Sequence, residues 1–207
     1  MSKLNRRLIL AGAASIFGLS GSGSSIAVDL GKLNEAPASG EMQLGPADAK
    51  VTIIEYASAS CPHCAKFHKE AFPVLKKDYI DPGKVRFILR EFPHNQAGLA
   101  AFMVARCAPK EKYFPILDAI FETQDSWLKQ PADGLYKIAQ MAGFTRAAFD
   151  ACLKNEAVAK GILAVRDKGA NELGIQGVPT FFINGEKLAG GYDLENIKSA
   201  IDPLLGK

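Results

Sequence analysis

One stretch of the chain combines residue types and spacing that could do chemistry: SCPHCAKFH, residues 60–68. Cys61 and Cys64 stand three positions apart, with Pro62 and His63 between them. Such a pair can be a structural clip, part of a metal site or a redox centre. Pro62 suits the first position of a helix, where its missing N–H leaves no hydrogen bond unmade. With Cys61 as the cap and Cys64 one turn in, both sulfurs fall on one side and can close a very small disulfide ring. Cys61 then sits where the helix dipole and unpaired N–H groups favour a thiolate. Cys64 shares an apolar stripe with Phe67 and is expected to be the more buried of the two. An exposed, acidic sulfur that exchanges with client thiols, beside a buried one that resolves the mixed disulfide, makes a redox centre. His63 adds a donor near Cys61, and stabilising that thiolate makes the closed disulfide a stronger oxidant. A clip has no need of a helix start directly after a strand. A metal site needs more ligands than two. Cys61, Cys64 and His68 would supply three, but His68 reads as a solvated helix position, and Cys107 and Cys152 do not form a second C-x-x-C. The pair therefore reads as redox-active, with no metal and no cofactor expected.

These side chains need elements to hold them. Residues 51–56 are β-branched and apolar with Glu55 set inside, the pattern of a largely buried strand. From Pro62, the residues Cys64, Phe67, Ala71 and Leu75 recur at helical spacing, and Pro73 is expected to kink that helix. A second strand spans residues 84–92 after the Asp81-Pro82-Gly83 turn. Apolar stripes at helical spacing follow, among them Leu99, Phe102 and Cys107, then Ile116, Ile120 and Phe121, then Phe149 and Cys152. They read as core faces. Residues 180–183 and 186–189 flank Asn184-Gly185, a strong hairpin signal, and Asp193 is placed to cap a last helix. The order describes an α/β domain over residues 51–207 with a helical insertion at about 93–175.

Residues 1–27 combine Lys3, Arg6 and Arg7 with a short apolar run and a small-residue end at Ser25-Ile26-Ala27, the layout of an export signal peptide. Arg6-Arg7 also resembles the twin-arginine export pattern, so either that route or unfolded-chain (Sec) secretion fits. Residues 28–50 are Gly-, Ala- and Pro-rich and are expected to form a leader that drapes over the domain or stays mobile. The whole chain has 25 basic and 22 acidic residues; removing the three signal cations, which come with no acid, leaves 22 of each. A neutral body argues against a nucleic-acid partner.

Residues 51–64, with Glu55 six positions before Cys61 and the sequence Cys-Pro-His-Cys, resemble the DsbA-type thiol:disulfide oxidoreductases, which have a thioredoxin fold. Gly177-Val178-Pro179-Thr180 is similar to that family's cis-proline loop. Leu89-Arg90-Glu91-Phe92-Pro93 and Ala105-Arg106-Cys107-Ala108 resemble its alphaproteobacterial branch. The likeness covers most of residues 45–205. It implies that Cys61 is the nucleophile, Cys64 the resolving partner, His63 the residue that tunes the thiolate, and Glu55 a buried acid behind the site that assists proton movement. Glu55 also reads as a carboxylate paired with a nearby basic residue. The resemblance implies a cis bond from Val178 to Pro179, with the Val178 backbone pairing with an extended client chain; an ordinary trans loop is the alternative. Cys107 and Cys152 both fall on apolar stripes, and an exported protein can keep disulfides. Pairing of these two as a structural disulfide is expected, in line with the resemblance, against two separate buried thiols. His94 and Trp127 carry no comparable signal.

The function so implied is a periplasmic, monomeric oxidase that donates its Cys61–Cys64 disulfide to exported proteins with free cysteines. A DsbB-type membrane partner would reoxidise it. Two other classes fit the same residues. One is a reductase or isomerase, whose relatives commonly carry an oligomerisation segment, for which residues 28–50 are short and irregular. The other is a non-catalytic chaperone-like binding module.

Overall fold

The computed structural model describes residues 29–206. The expected signal peptide, residues 1–27, lies outside the described residues. The sheet is built around β2 (Val51–Ala57) and β3 (Val85–Glu91), which run parallel in a register that sets Glu55 opposite Leu89 and Ala57 opposite Glu91. On the far side of β2, β4 (Thr180–Ile183) pairs antiparallel, followed by the short β5 (Glu186–Lys187). Asn184 at φ 48° and Gly185 at φ 92° make the tight turn between them, and both residue types tolerate that left-handed backbone. The second hairpin strand is two residues long rather than the four expected.

Residues 29–50 are more than a draped leader. They form α1 (Leu30–Asn34) and β1 (Met42–Leu44), and β1 adds to the free edge of β3 as an antiparallel strand. The sheet order is β1-β3-β2-β4-β5. Arg90, buried on β3, holds this segment in place: its guanidinium donates to the carbonyls of Leu33 (2.6 Å) and Glu35 (3.3 Å) and to both carboxylate oxygens of Glu41. Main-chain pairing and carbonyl capture depend little on residue type, which is why composition did not reveal the strand.

α2 (Pro62–Glu70) follows β2, with Pro62 at its first position. Pro73 does more than kink this helix. The chain breaks at Ala71, restarts as α3 (Phe72–Leu75) and closes in a wide turn over Lys76–Ile80 with Asp81 N–H bonded back to the Lys76 carbonyl. Proline cannot donate to the preceding turn, and its ring clashes with the carbonyl there. Between β3 and β4 the insertion comprises α4 (Gln96–Cys107), α5 (Tyr113–Glu122), α6 (Gln124–Trp127), α7 (Pro131–Met141), α8 (Arg146–Leu153) and α9 (Glu156–Glu172). α10 (Leu194–Leu205), capped by Asp193 on the Asn196 N–H, closes the chain against α3 and β2.

The alternation of β2 decides where its side chains go. Ile53 and Ala57 enter the main core, together with Phe67, Phe87 and Phe121, while Ile54 and Tyr56 enter a smaller cluster with Leu33, Ile88 and Phe182. Glu55, in step with Ile53 and Ala57, is thereby sent into the main core beneath α2.

Candidate functional site

Cys61 is the N-cap of α2. Its own N–H closes the preceding turn on the Ser58 carbonyl (3.0 Å), and its carbonyl accepts the Ala65 N–H (3.0 Å). The side chain faces the start of the helix. Both sulfurs are unbridged in the structure. Cys61 is 5% exposed and Cys64 fully buried, so the nucleophile expected to be exposed presents only an edge. Their acidities are driven apart. Hydrogen bonding from the Cys64 thiol, and then from the backbone N–H groups of Cys64 and His63, pulls Cys61 down to about 5 against the effect of burial; the His94 charge adds to the pull. Burial first, and then its bond to Cys61 and the nearby Glu55 charge, pushes the Cys64 thiol well above the usual thiol range. A bare anion at Cys61 and a protonated thiol at Cys64 is the favoured reduced state.

The Val178–Pro179 peptide is cis, and the Val178 carbonyl lies 3.5 Å from the Cys61 sulfur. Thr180 secures the loop by donating its hydroxyl to the Gly177 carbonyl at 2.7 Å. Residues 178 and 61, distant in sequence, thus meet at the reactive atom.

The His63 ring is engaged elsewhere than expected. Its Nδ1 is 2.6 Å from the hydroxyl of Tyr192, and it is the His63 backbone N–H that faces Cys61. Tyr192 also lines a groove of about 460 Å³ with Phe67, Ala71 and Leu194.

Glu55 is completely buried, and its Oε2 lies 2.9 Å from Nε2 of His68. Both readings of Glu55 meet here: it is a buried acid and it has a basic partner. His68 is corrected from a solvated position to a core one. It is 6% exposed, because α5 of the insertion covers it and the Phe121 ring stacks on it at 4.0 Å. Among the described residues, no group of three His, Cys, Asp or Glu side chains is arranged to hold a metal ion.

Further contributors carry no signal in the sequence. Gln124, buried on α6, donates its amide to the carbonyls of Ala59 (2.9 Å) and Cys61 (3.0 Å), so the insertion pins the cysteine turn. Ser60 donates to Asn95 Oδ1 (3.0 Å), which also caps α4 by accepting from Gly98 N–H (2.8 Å). A Cβ at position 98 would come within 2.8 Å of the Ser60 hydroxyl, so glycine is what lets α4 approach the turn. His94, which the sequence left without a role, lies 3.5 Å from the Ser60 hydroxyl and favours the Cys61 anion. A lone glutamine and a lone histidine outside any periodic pattern carry no signal that sequence reading could use.

Cys107, the last residue of α4, is disulfide-bonded to Cys152 on α8, with Cα atoms 6.0 Å apart and a separation of 45 positions in sequence. The bridge ties α4 to α8 within the insertion. Trp127 is buried in the insertion, its indole N–H donating to the Ile120 carbonyl.

A family model described as thioredoxin matches residues 38–203. A Rickettsia felis relative that carries a protein-disulfide oxidoreductase name is 33% identical over 168 residues, covering 80% of this chain and 60% of its own length. The chain therefore spans about three fifths of that curated relative. A Bacillus cereus relative named as a probable disulfide bond formation protein D is 27% identical over 177 residues, 81% of this chain and 80% of its own. Among solved structures, alpha-DsbA1 of Wolbachia pipientis superposes with a TM-score of 0.77 at 33% identity, covering 84% of this chain and 96% of that one.

Proposed function

The chain belongs to the DsbA-type branch of the thioredoxin family, and we propose that it is a thiol:disulfide oxidoreductase that donates its Cys61–Cys64 disulfide to exported proteins. The observation that carries this reading is the split between the two sulfurs, Cys61 held down to about 5 and Cys64 pushed up. A client thiolate attacks the Cys61 sulfur, the Cys61–Cys64 bond breaks, and Cys64 leaves with the electron pair. The second client thiolate then attacks the client sulfur and releases Cys61 as a thiolate. Two electrons move to the enzyme and the client gains the disulfide. Stabilising the released Cys61 anion favours the reduced enzyme, so the closed disulfide is oxidising.

The Val178 carbonyl beside Cys61 supports binding of an extended client by main-chain pairing, which accepts many sequences. The groove at Tyr192 offers apolar surface for neighbouring client residues. Action in the periplasm as a monomer, with the 1–27 segment as export signal and a DsbB-type quinone-linked protein as reoxidant, completes the proposal. Among the described residues no helix is long and apolar enough to cross a membrane.

Equilibration of the purified protein with glutathione tests the reading. The expected outcome is a Cys61–Cys64 disulfide reduced by a glutathione buffer of the poise found in oxidising compartments. A potential far more negative than the glutathione pool sinks the oxidase, and full client activity in Cys61→Ser turns the protein into a binding module.

A further inference from the structure

Each opening of the disulfide leaves a thiolate at Cys64 that must take up a proton, and each reclosure must remove it. Cys64 is fully buried, so bulk water does not reach its sulfur directly. The proton needs another way in.

Glu55 is buried beneath α2 and meets His68, which stands one helical turn after Cys64 on that helix, and the Glu55 charge raises the Cys64 thiol. One oxygen of Glu55 meets His68 Nε2; the other oxygen, and Nδ1 of His68, are buried without a hydrogen-bond partner among the described residues. Burying a polar atom unsatisfied costs about 1–3 kcal/mol, and this pair carries two such atoms, with His68 one helical turn after Cys64. His68 is also the member of the pair that reaches outward. With Phe72, Lys76, Asp118, Ala119 and Glu122 it lines a surface recess of about 410 Å³, which shares no residue with the surroundings of Cys61. Partial burial raises the Asp118 carboxyl above its usual range, and the His68 and Lys76 charges oppose that rise. The groups around His68 are therefore Glu55 from β2, Asp118 and Glu122 from α5, and Lys69 and Lys76 from α2 and the turn after α3.

We propose that His68 is a positioning residue which, acting through Glu55, carries protons between Cys64 and the recess on the α2–α5 face while a client is held at Cys61. This deepens the disulfide-donor reading and rests on it. When the Cys64 thiolate leaves, Glu55 gives it a proton, His68 restores the proton to Glu55, and His68 takes one from water or Asp118 in the recess. Closure runs the same transfers in reverse. Over one turnover the client dithiol becomes a disulfide with loss of two protons; one ends on Cys64 and one in solvent, leaving Cys61 as the thiolate.

The test measures oxidation of a two-cysteine peptide by the oxidised protein between pH 5 and 8, for the wild type, His68→Gln and His68→Ala, each with its glutathione equilibrium constant. Failure of the wild type to oxidise the peptide defeats the donor reading itself. With an active wild type, we expect both variants to be slowed about tenfold or more at neutral pH. The pH profile should change, the equilibrium constant should stay within about threefold, and added imidazole should restore His68→Ala. A smaller loss, a loss matched by the equilibrium constant, or no recovery with imidazole overturns the proposal. If the His68 variants do not fold, Ala119→Leu, which adds bulk to the recess without replacing either member of the buried pair, decides it. Slowing of the reaction supports the route, and an unchanged rate overturns it.

Discussion

Glu55 and Glu91 are carboxylates on adjoining strands, directed to the same face of the sheet and fully buried, yet their neighbours treat them differently. Both oxygens of Glu91 are taken: Arg106 grips them at 2.5 and 2.9 Å, and the Tyr113 hydroxyl adds a bond of 2.8 Å. Arg106 goes on to the carbonyls of Ser39 and Gly40. Among the described residues Glu55 has one bond, to an imidazole, and an oxygen left over. Arginine cannot give up its proton in a protein, whereas imidazole exchanges one near neutrality. A buried acid locked to a permanent cation fixes structure. A buried acid half-bonded to an imidazole, a group with one nitrogen that donates and one that accepts, near a sulfur that must change protonation is suited to chemistry.

Substitution at each acid should break this contrast if it is wrong. The largest effect is expected at Glu91→Ala, which strands the Arg106 guanidinium in the core and should cost about 3–5 kcal/mol in denaturant unfolding. The pH dependence of Cys61 alkylation should not move. The Cys107–Cys152 bridge belongs on the same structural side: replacing both cysteines by alanine should lower stability by about 2–4 kcal/mol and leave peptide oxidation unchanged at temperatures where the protein stays folded. Glu55→Gln should do the opposite, keeping stability the same or higher, because a neutral amide costs less to bury than an ionisable carboxyl, while slowing disulfide transfer about 100-fold in single-turnover kinetics.

Acidity sharpens the contrast from the sulfur side. The Cys61 thiol is held near 5 in the fold against an ordinary value of 9.0. A depressed value stabilises the reduced fold fully above the unfolded value, and the contribution is lost as pH falls towards 5. The stability of the reduced form relative to the oxidised one should therefore shrink steadily from pH 9 to pH 5, and iodoacetamide should react with Cys61 with a midpoint near 5. An alkylation midpoint near 9 would show that the helix start and its neighbours do not act on this sulfur. The smallest effect is expected at Tyr192→Phe, which removes one hydrogen bond to His63 and should move the glutathione equilibrium constant by about 2–10-fold.

Much of this site can be read from local sequence because local physics makes it. Proline at a helix start, cysteine as a cap, Asn-Gly in a hairpin and Asp193 before the last helix each act within a few residues. The joining of Val178 to Cys61 was reached only through family likeness, since no local rule spans 117 residues. His68 shows where periodicity runs out. Its position on α2 is set by helical spacing, but its burial is imposed by Phe121, which arrives from the insertion. Gln124 and Asn95 act through hydrogen bonds to distant backbone or hydroxyl groups, and nothing near them in sequence marks their partners. The Arg90-Glu91 pair was legible only as a family signature; its two side chains leave opposite faces of one strand, one to hold the N-terminal segment and the other to hold the insertion.

The grip of Arg90 on residues 33–41 has a practical consequence for anyone shortening this protein. A chain begun at residue 42, where the edge strand starts, would keep every sheet residue but leave the Arg90 cation with the Tyr56 hydroxyl alone out of its present acceptors. The smallest autonomous unit therefore starts ahead of the first strand, near residue 30, and versions trimmed further should aggregate or need a lower temperature to accumulate.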